Sequence, residues 1–266
     1  MIQKWVNSLS NGDYINSKGA LKPQTVKNIF LRLSSAMDKA VELKLITESP
    51  CKYTQLPKLV KYNATVFDNA ELKKFLNAIK GHELETPMMI LLMLGLRRGE
   101  AIALRWKCID WDNKTINITE SMVRTSKSTN YIKTPKSKAG IRSIVMPNHL
   151  YEYLKAEYDN LKTLDKHFSE NDFIIHKKSS KESYKPNTLY QKFKRFLKEN
   201  NLEDIRLHDL RHTTATVMLT AGVSPKVAQQ VLGHSTVSVT LDTYSHVLKS
   251  VQVDAADKID KQIFGE

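Results

Sequence analysis

The sequence predicts a mainly helical α+β protein in two domains, with a small antiparallel sheet carried by the second. Three observations predict it. Apolar residues recur at helical spacing; the clearest case is Thr25 to Leu45, apolar at 26, 29, 30, 33, 37, 41 and 45. Only two stretches read as strand, Lys114 to Glu120 and Tyr131 to Pro147. Pro50 to Asn63 holds two prolines and scattered lysines, the composition of an interdomain linker.

The elements follow in order. Residues 1–62 form a helical, basic first domain, with ten Lys and Arg against four acids. Asn11 to Ala20 is a polar connection within it. Residues 63–266 form the second domain. Phe67 to Leu72 offers a helix start, with a helix running to about Ile79. The apolar run Met88 to Leu96 ends at a glycine-flanked turn into the next helix. Lys114 to Glu120 alternates and is β-branched, so it reads as a strand. Tyr131 to Pro147 reads as a hairpin turning near Ser137-Lys138-Ala139-Gly140. Helices are expected at about 148–163, 186–200, 207–220 and 224–232, the last with Pro225 at a favourable first position. Leu248 to Phe264 is expected to be a final helix. No internal repeat interrupts this order.

Composition narrows the partner. A net charge of +13 favours a polyanion, and nucleic acid is the first such partner. No apolar run reaches membrane-spanning length, and no basic amphipathic segment suits a membrane surface. Cys51 and Cys108 are the only cysteines and no signal peptide precedes them, which predicts a reducing cytoplasm and no disulfide framework. Nine of the 41 basic residues are arginine, so arginine positions carry more information than lysine positions.

Four short segments carry the chemistry: Leu94-Gly95-Leu96-Arg97-Arg98-Gly99-Glu100, His208-Asp209-Leu210-Arg211-His212, Leu232-Gly233-His234 and Tyr244. His208 and Arg211 are three apart in a helical segment, so one face offers a proton-transfer group beside a permanent cation. Arginine grips phosphate oxygens through two parallel bonds. Arg97 supplies a second such cation. Arg98, its neighbour, points about 100° away on a helix and is not expected at the same phosphate. A phenol with a pKa near 10 is a poor nucleophile at pH 7 unless a base or a strong positive field activates it. Tyr244 in this company therefore reads as a nucleophile on a phosphodiester. Glu100 and Asp209 read as carboxylates that orient the cations, and His212 as structural. The spacing of His208 and His212 also matches a zinc helix. Arg211 between them disfavours a dication, and no third ligand is evident. Arg142, Lys192, Lys194 and Arg195 read as neutralisers of a phosphate backbone, although a solvated face explains the last three equally well.

In this order, on a basic chain, the four segments resemble the boxes of the tyrosine recombinase (phage integrase) family from about Thr65 onward. The one departure is Leu94, where the family commonly has threonine. The resemblance implies a mainly α fold with a small antiparallel sheet, a helical core-binding domain and a catalytic domain. It implies catalytic roles for Arg97, Lys136, His208, Arg211, His234 and Tyr244. Lys136 is the expected proton donor to the leaving 5′-oxygen, with Lys138 as rival because the hairpin register is open. It implies cleavage and religation through a 3′-phosphotyrosine and a Holliday junction, without metal or cofactor. The implied partners are double-stranded DNA recombination sites, a homotetramer on two sites, and an accessory DNA-bending or directionality factor. The first segment resembles the core-binding domain entered part-way, without the arm-binding module. The nearest subset resembles integrases of temperate phages and conjugative transposons, which places the protein in a bacterial cytoplasm. Two other functions compete: a type IB topoisomerase, which shares the chemistry but works as a monomer, and a DNA-binding protein without catalysis.

Overall fold

The computed structural model describes residues 1–59, 65–124, 130–135, 140–177, 180–234, 236–237, 260 and 262–265. The chain divides into two compact units, Met1–Asn63 and Ala64–Glu266.

The first unit is built on α1 (Ile2–Asn11) and α2 (Pro23–Glu42). Their apolar faces meet in a small core of Val6, Leu9, Val26, Phe30 and Cys51. Gln3 ties the end of this unit to α1: its amide donates to Gln55 O at 3.1 Å and accepts from Gln55 N at 2.8 Å.

The second unit opens with α3 (Asn69–Ile79). Asp68 accepts from Ala70 N and Glu71 N, and the Glu71 carboxylate accepts from Asp68 N, a reciprocal cap that satisfies otherwise orphaned amides. Next comes α4 (Glu85–Leu94), buried on nearly every side from Pro87 to Leu94. That explains its sequence: a helix inside a core shows an apolar run rather than a periodic stripe. A short helix, α5 (Arg98–Ala101), follows, then a single 3-10 turn, Trp106–Cys108. The remaining helices are α6 (Asn148–Leu164), α7 (Pro186–Glu199), α8 (Asp209–Thr220) and α9 (Pro225–Leu232). Phe75 of α3 meets Phe193 and Phe196 of α7 edge-on, which anchors α7 in the main core. Among the described residues no helix is long and apolar enough to cross a membrane.

The strands correct one expectation. β1 (Ile109–Asp110), β2 (Thr115–Ile118) and β5 (Arg142–Val145) form one antiparallel sheet in the order β1-β2-β5. β3 (Ser121–Arg124) and β4 (Asn130–Lys133) form another. Residues 131–147 are therefore not a hairpin, because β4 and β5 lie in different sheets. The reason is burial. Ile144 pairs with Ile116 and both are buried, so β5 needs the apolar face of β2. β4 pairs instead with β3, Ser121 opposite Lys133 and Met122 opposite Ile132. The turn expected at 137–140 lies outside the described residues save for Gly140. The expected helix at 248–264 also lies outside them save for 260 and 262–264, which are helical.

The ends of α4, α8 and α9 converge. Thr214 of α8 donates to Leu92 O of α4, and Arg211 Nη1 donates to Gly95 O at 2.8 Å. Gly95 caps α4 at φ +60°, and a Cβ there would stand 2.6 Å from Leu232 Cδ2 at the end of α9. Only glycine allows both the turn and the approach. Gly99 acts alike for β3: a Cβ would meet Met122 O at 2.6 Å.

Gly95→Ala is therefore expected to cost about 2 kcal/mol or more, since left-handed strain and overpacking add. Gly81→Ala, at φ +73° with nothing within 4 Å, should cost only the strain. Thermal unfolding of the two variants checks this; equal losses would contradict the close approach at Gly95.

Candidate active site

The site forms where α4 and α9 end and α8 begins. Arg97 stands between α4 and α5 as the residue before the first turn of α5. Its guanidinium donates through Nη1 to Glu100 Oε1 at 2.7 Å and through Nη2 to Gly233 O at 2.7 Å. Its backbone N donates to Glu100 Oε2 at 3.0 Å. The arginine side chain nevertheless keeps 43% of its surface open, so it can also meet a ligand. Arg98 diverges, half-buried beside Tyr190 of α7.

Glu100 is buried to 3% exposure. It receives a second arginine, Arg142 Nη2, at 3.0 Å. Burial alone would raise its pKa. The hydrogen bond and charge of Arg142, then the backbone and side chain of Arg97, outweigh burial and hold Glu100 below the usual carboxylate range. A buried carboxylate survives as an ion only with such partners, and removing one partner of a buried pair typically costs about 3–5 kcal/mol. The expectation that Glu100 orients a cation agrees with this geometry. The expectation for Arg142 does not. It is no exposed neutraliser: its side chain is 8% exposed and its three nitrogens donate within the protein.

Arg211 is buried, at 2% exposure, and aimed at the end of α4 through Gly95 O. His208 immediately precedes α8 rather than lying inside it. Its ring meets that of His212 edge-on, centroids 5.1 Å apart. Burial pushes the His208 imidazole down to about 4, and the charges of His212 and Arg211 act in the same direction. His208 still has an exposed surface by area, so solvent moderates this shift. His234 follows the left-handed Gly233 cap of α9. Burial, then the charges of Arg211 and Arg97, push it to about 4 as well. His212 is lowered by burial. Arg97, Arg211, His208 and His234 thus share one neighbourhood. Asp209, fully buried, grips Arg206: its carboxylate accepts from Arg206 N at 2.8 Å and from Nη2 at 2.7 Å. Burial would raise Asp209, and the bonds from Arg206 reverse that. Sequence reasoning missed Arg206 as its partner, although the three-residue spacing was there to see.

Lys136, Lys138 and Tyr244 lie outside the described residues. Lys192 pairs with Glu83 and Lys194 with Asp204, so both are engaged locally. Among the described residues no group of three His, Cys, Asp or Glu side chains could hold a metal ion.

A cluster of two arginines and two neutral imidazoles suits an anion with tetrahedral oxygens. The guanidiniums supply fixed charge, and neutral imidazoles can each donate one hydrogen bond and accept one. The sequence model described as "Phage integrase family" matches residues 65–250. The chain is 29% identical to the ICEBs1 integrase of Bacillus subtilis (strain 168) over 246 residues, covering 90% of this chain and 66% of the relative. It is 28% identical to the transposase from transposon Tn916 of Enterococcus faecalis, over 84% of this chain and 58% of the relative. The chain thus spans less than two thirds of the length of these two relatives. Among solved structures, the Tn1549 transposon integrase in complex with transposon right end DNA superposes with a TM-score of 0.78 at 23% identity, covering 98% of this chain and 84% of that one. XerA recombinase shares the fold more distantly, at a TM-score of 0.57 and 19% identity over 96% of this chain and 81% of that one. The chain belongs to the phage integrase family, the tyrosine recombinases.

The depressed imidazoles make a pH prediction. Unfolded histidines take up protons near 6.5, whereas His208 and His234 resist until about 4 in the fold. Their contribution to stability is therefore complete above about pH 6.5 and lost as the pH falls from there toward 4. NMR titration should find both rings neutral at pH 6 in the free protein, and DNA phosphate should raise both values. Ordinary titration near 6.5 in the free protein would contradict the packing around them.

Proposed function

We propose that this protein is a site-specific DNA recombinase of the integrase type, which cleaves and rejoins DNA strands through Tyr244. The observation that carries the reading is the convergence of Arg97, Arg211, His208 and His234 at the meeting of three helix ends. The chain's match to its family over residues 65–250 runs through all four residues and Tyr244.

The mechanism follows from charge. The Tyr244 phenol attacks phosphorus and forms the P–O bond to the enzyme as the bond to the 5′-oxygen breaks. The phenolic proton passes to the neutral His208 imidazole. Negative charge grows on the non-bridging oxygens, and Arg97 and Arg211 stabilise it; such preorganised charge is usually the largest catalytic contribution. His234 donates a hydrogen bond to the same phosphate. Lys136 gives a proton to the leaving 5′-oxygen. The phosphotyrosine stores the energy of the broken bond, so a 5′-hydroxyl from a partner duplex restores the strand without ATP. Two successive exchanges pass through a Holliday junction, which calls for four protomers on two sites in a bacterial cytoplasm. An accessory DNA-bending or directionality factor suits such an assembly. The first unit, with its basic excess, would clamp the DNA as a core-binding domain.

Relatives support the setting: the ICEBs1 integrase and the Tn916 transposase are named for mobile elements, and the Tn1549 integrase has been seen with circular intermediate DNA. For the C-terminal stretch 248–264, exchange onto a neighbouring protomer fits its spaced apolar residues. Ile263 and Phe264 stand 66% and 75% exposed. An apolar cavity of about 640 Å³, lined by Leu72, Leu76, Met89, Met93, Val217 and Met218, offers such a stripe a seat.

A suicide substrate that traps the covalent adduct tests the reading. Tyr244→Phe should abolish adduct while DNA binding stays nearly intact. Arg97→Ala and Arg211→Ala should each cost about 3 kcal/mol or more in cleavage, and Arg98→Ala far less. Lysine at 97 or 211 should rescue poorly, because a point charge cannot reproduce a fork. Normal adduct from the Phe variant, or a dead Arg98→Ala beside an active Arg97→Ala, would sink these assignments. Cleavage should be undiminished in EDTA.

The proton donor has its own test. DNA with sulfur in place of the bridging 5′-oxygen needs no acid, because a thiolate is a weak base. Lys136→Ala should be slow on normal DNA and largely restored on the sulfur-bridged DNA. Rescue of Lys138→Ala instead would reassign the role to Lys138.

A further inference from the structure

We propose that Arg142 is a positioning residue for strand cleavage, which locks the turn carrying His234 to the carboxylate that orients Arg97. The inference rests on the strand-transfer reading above but concerns a residue whose three guanidinium nitrogens all donate within the protein.

The geometry is specific. One guanidinium joins three segments distant in sequence. Its Nε donates to Val231 O at 2.8 Å, its Nη1 to Gly140 O at 3.2 Å, and its Nη2 to Glu100 Oε2 at 3.0 Å. Val231 O belongs to the last turn of α9, where carbonyls lack helical partners and carry partial negative charge. Arg97 takes the next site along, Gly233 O, at 2.7 Å. Two guanidiniums thus hold the C-terminal end of α9, and Glu100 holds both guanidiniums. Glu100 Oε1 fixes Arg97 Nη1, while Oε2 is shared between Arg97 N and Arg142 Nη2. The closed circuit runs from Arg142 to Glu100 to Arg97 to Gly233, and back along the chain to Val231.

This circuit sets two groups of the site at once. His234 follows Gly233 directly, so its ring position depends on where the end of α9 is pinned. The phosphate-facing donors of Arg97 depend on which edge of its guanidinium Glu100 occupies. Only a planar fork reaches three acceptors in these directions; lysine can satisfy one or two. The charged groups facing Glu100 are Arg97, from the start of α5, and Arg142, from β5. Without Arg142 the buried carboxylate keeps one partner against the full cost of burial. It then gains a proton in mildly acid solution and releases Arg97.

The test compares Arg142→Gln, Arg142→Lys and the double variant Arg142→Gln/Glu100→Gln with the wild type. Cleavage is followed at saturating DNA, and affinity is followed against salt. Arg142→Gln should bind DNA within about twofold of wild type with an unchanged salt slope, and cleave at least tenfold more slowly. It should acquire a loss of rate toward acid pH beyond the one that protonation of His208 gives the wild type, and the double variant should lose that added limb. Arg142→Lys should recover part of the rate. A salt slope lower by about one would mean a lost phosphate contact and would overturn the proposal. So would cleavage within twofold of wild type by folded Arg142→Gln, or by Arg142→Lys if the glutamine variant does not fold. A wild type that forms no adduct would instead defeat the strand-transfer reading. The positioning claim is then judged by NMR of His234: its pKa should rise toward 6.5 in the Arg142 variants, and an unmoved titration would overturn it.

Discussion

A single buried carboxylate organises the second unit's functional end. Glu100 has almost no access to water, so it must be paired to stay ionised. The partners that keep it ionised are the arginines that tie α5, β5 and the end of α9 together. The cost of burying the charge thus fixes the spatial relation of segments far apart in sequence. Arg211 completes the frame from the other side by capping the end of α4 through Gly95 O. Backbone carbonyls at helix ends are good acceptors for guanidiniums because the helix leaves them unpaired. The site is therefore cationic and cross-tied for one reason: its arginines are also its struts.

The same arrangement explains the imidazoles. Neutral rings are cheap to bury beside fixed positive charge, and charged rings are not. His208 and His234 are consequently depressed toward 4, so each is a neutral ring at neutral pH, with one nitrogen that can accept a proton and one that can donate a hydrogen bond. An incoming phosphate would reverse that balance by supplying negative charge. In the proposed reaction, binding and protonation would thus be coupled through geometry that exists before DNA arrives.

Much of this was legible in the sequence, and the limit was physical. Helices α2, α6, α7 and α9 followed from spacing within one turn, and α3 from the Asp68–Glu71 cap, all local signals. Arg97, His208, Arg211 and His234 stood out because each sits in a short box whose neighbours fix its setting. What failed was long-range. β5 abandons β4 for β2 because Ile144 needs Ile116, a pairing no local pattern encodes. Arg142 read as a surface cation because its acceptors, Glu100 Oε2 and Val231 O, lie 42 and 89 residues away. Asp209 was read as a brace for the active-site cations; the bond to Arg206, three residues before it, was not foreseen. Residue type and spacing disclose what a side chain can do; which partner claims it is decided by the packed core.

The central claim is that this arginine frame serves covalent cleavage of a DNA strand by Tyr244. The most direct measurement is the site and polarity of the bond. Trypsin should release residues 227–249 as one peptide, which contains a single tyrosine. After reaction with a nicked suicide substrate, mass spectrometry should find that peptide carrying the DNA through a 3′-phosphate on Tyr244. An adduct on any other peptide, or a linkage to a 5′-phosphate, would contradict the account.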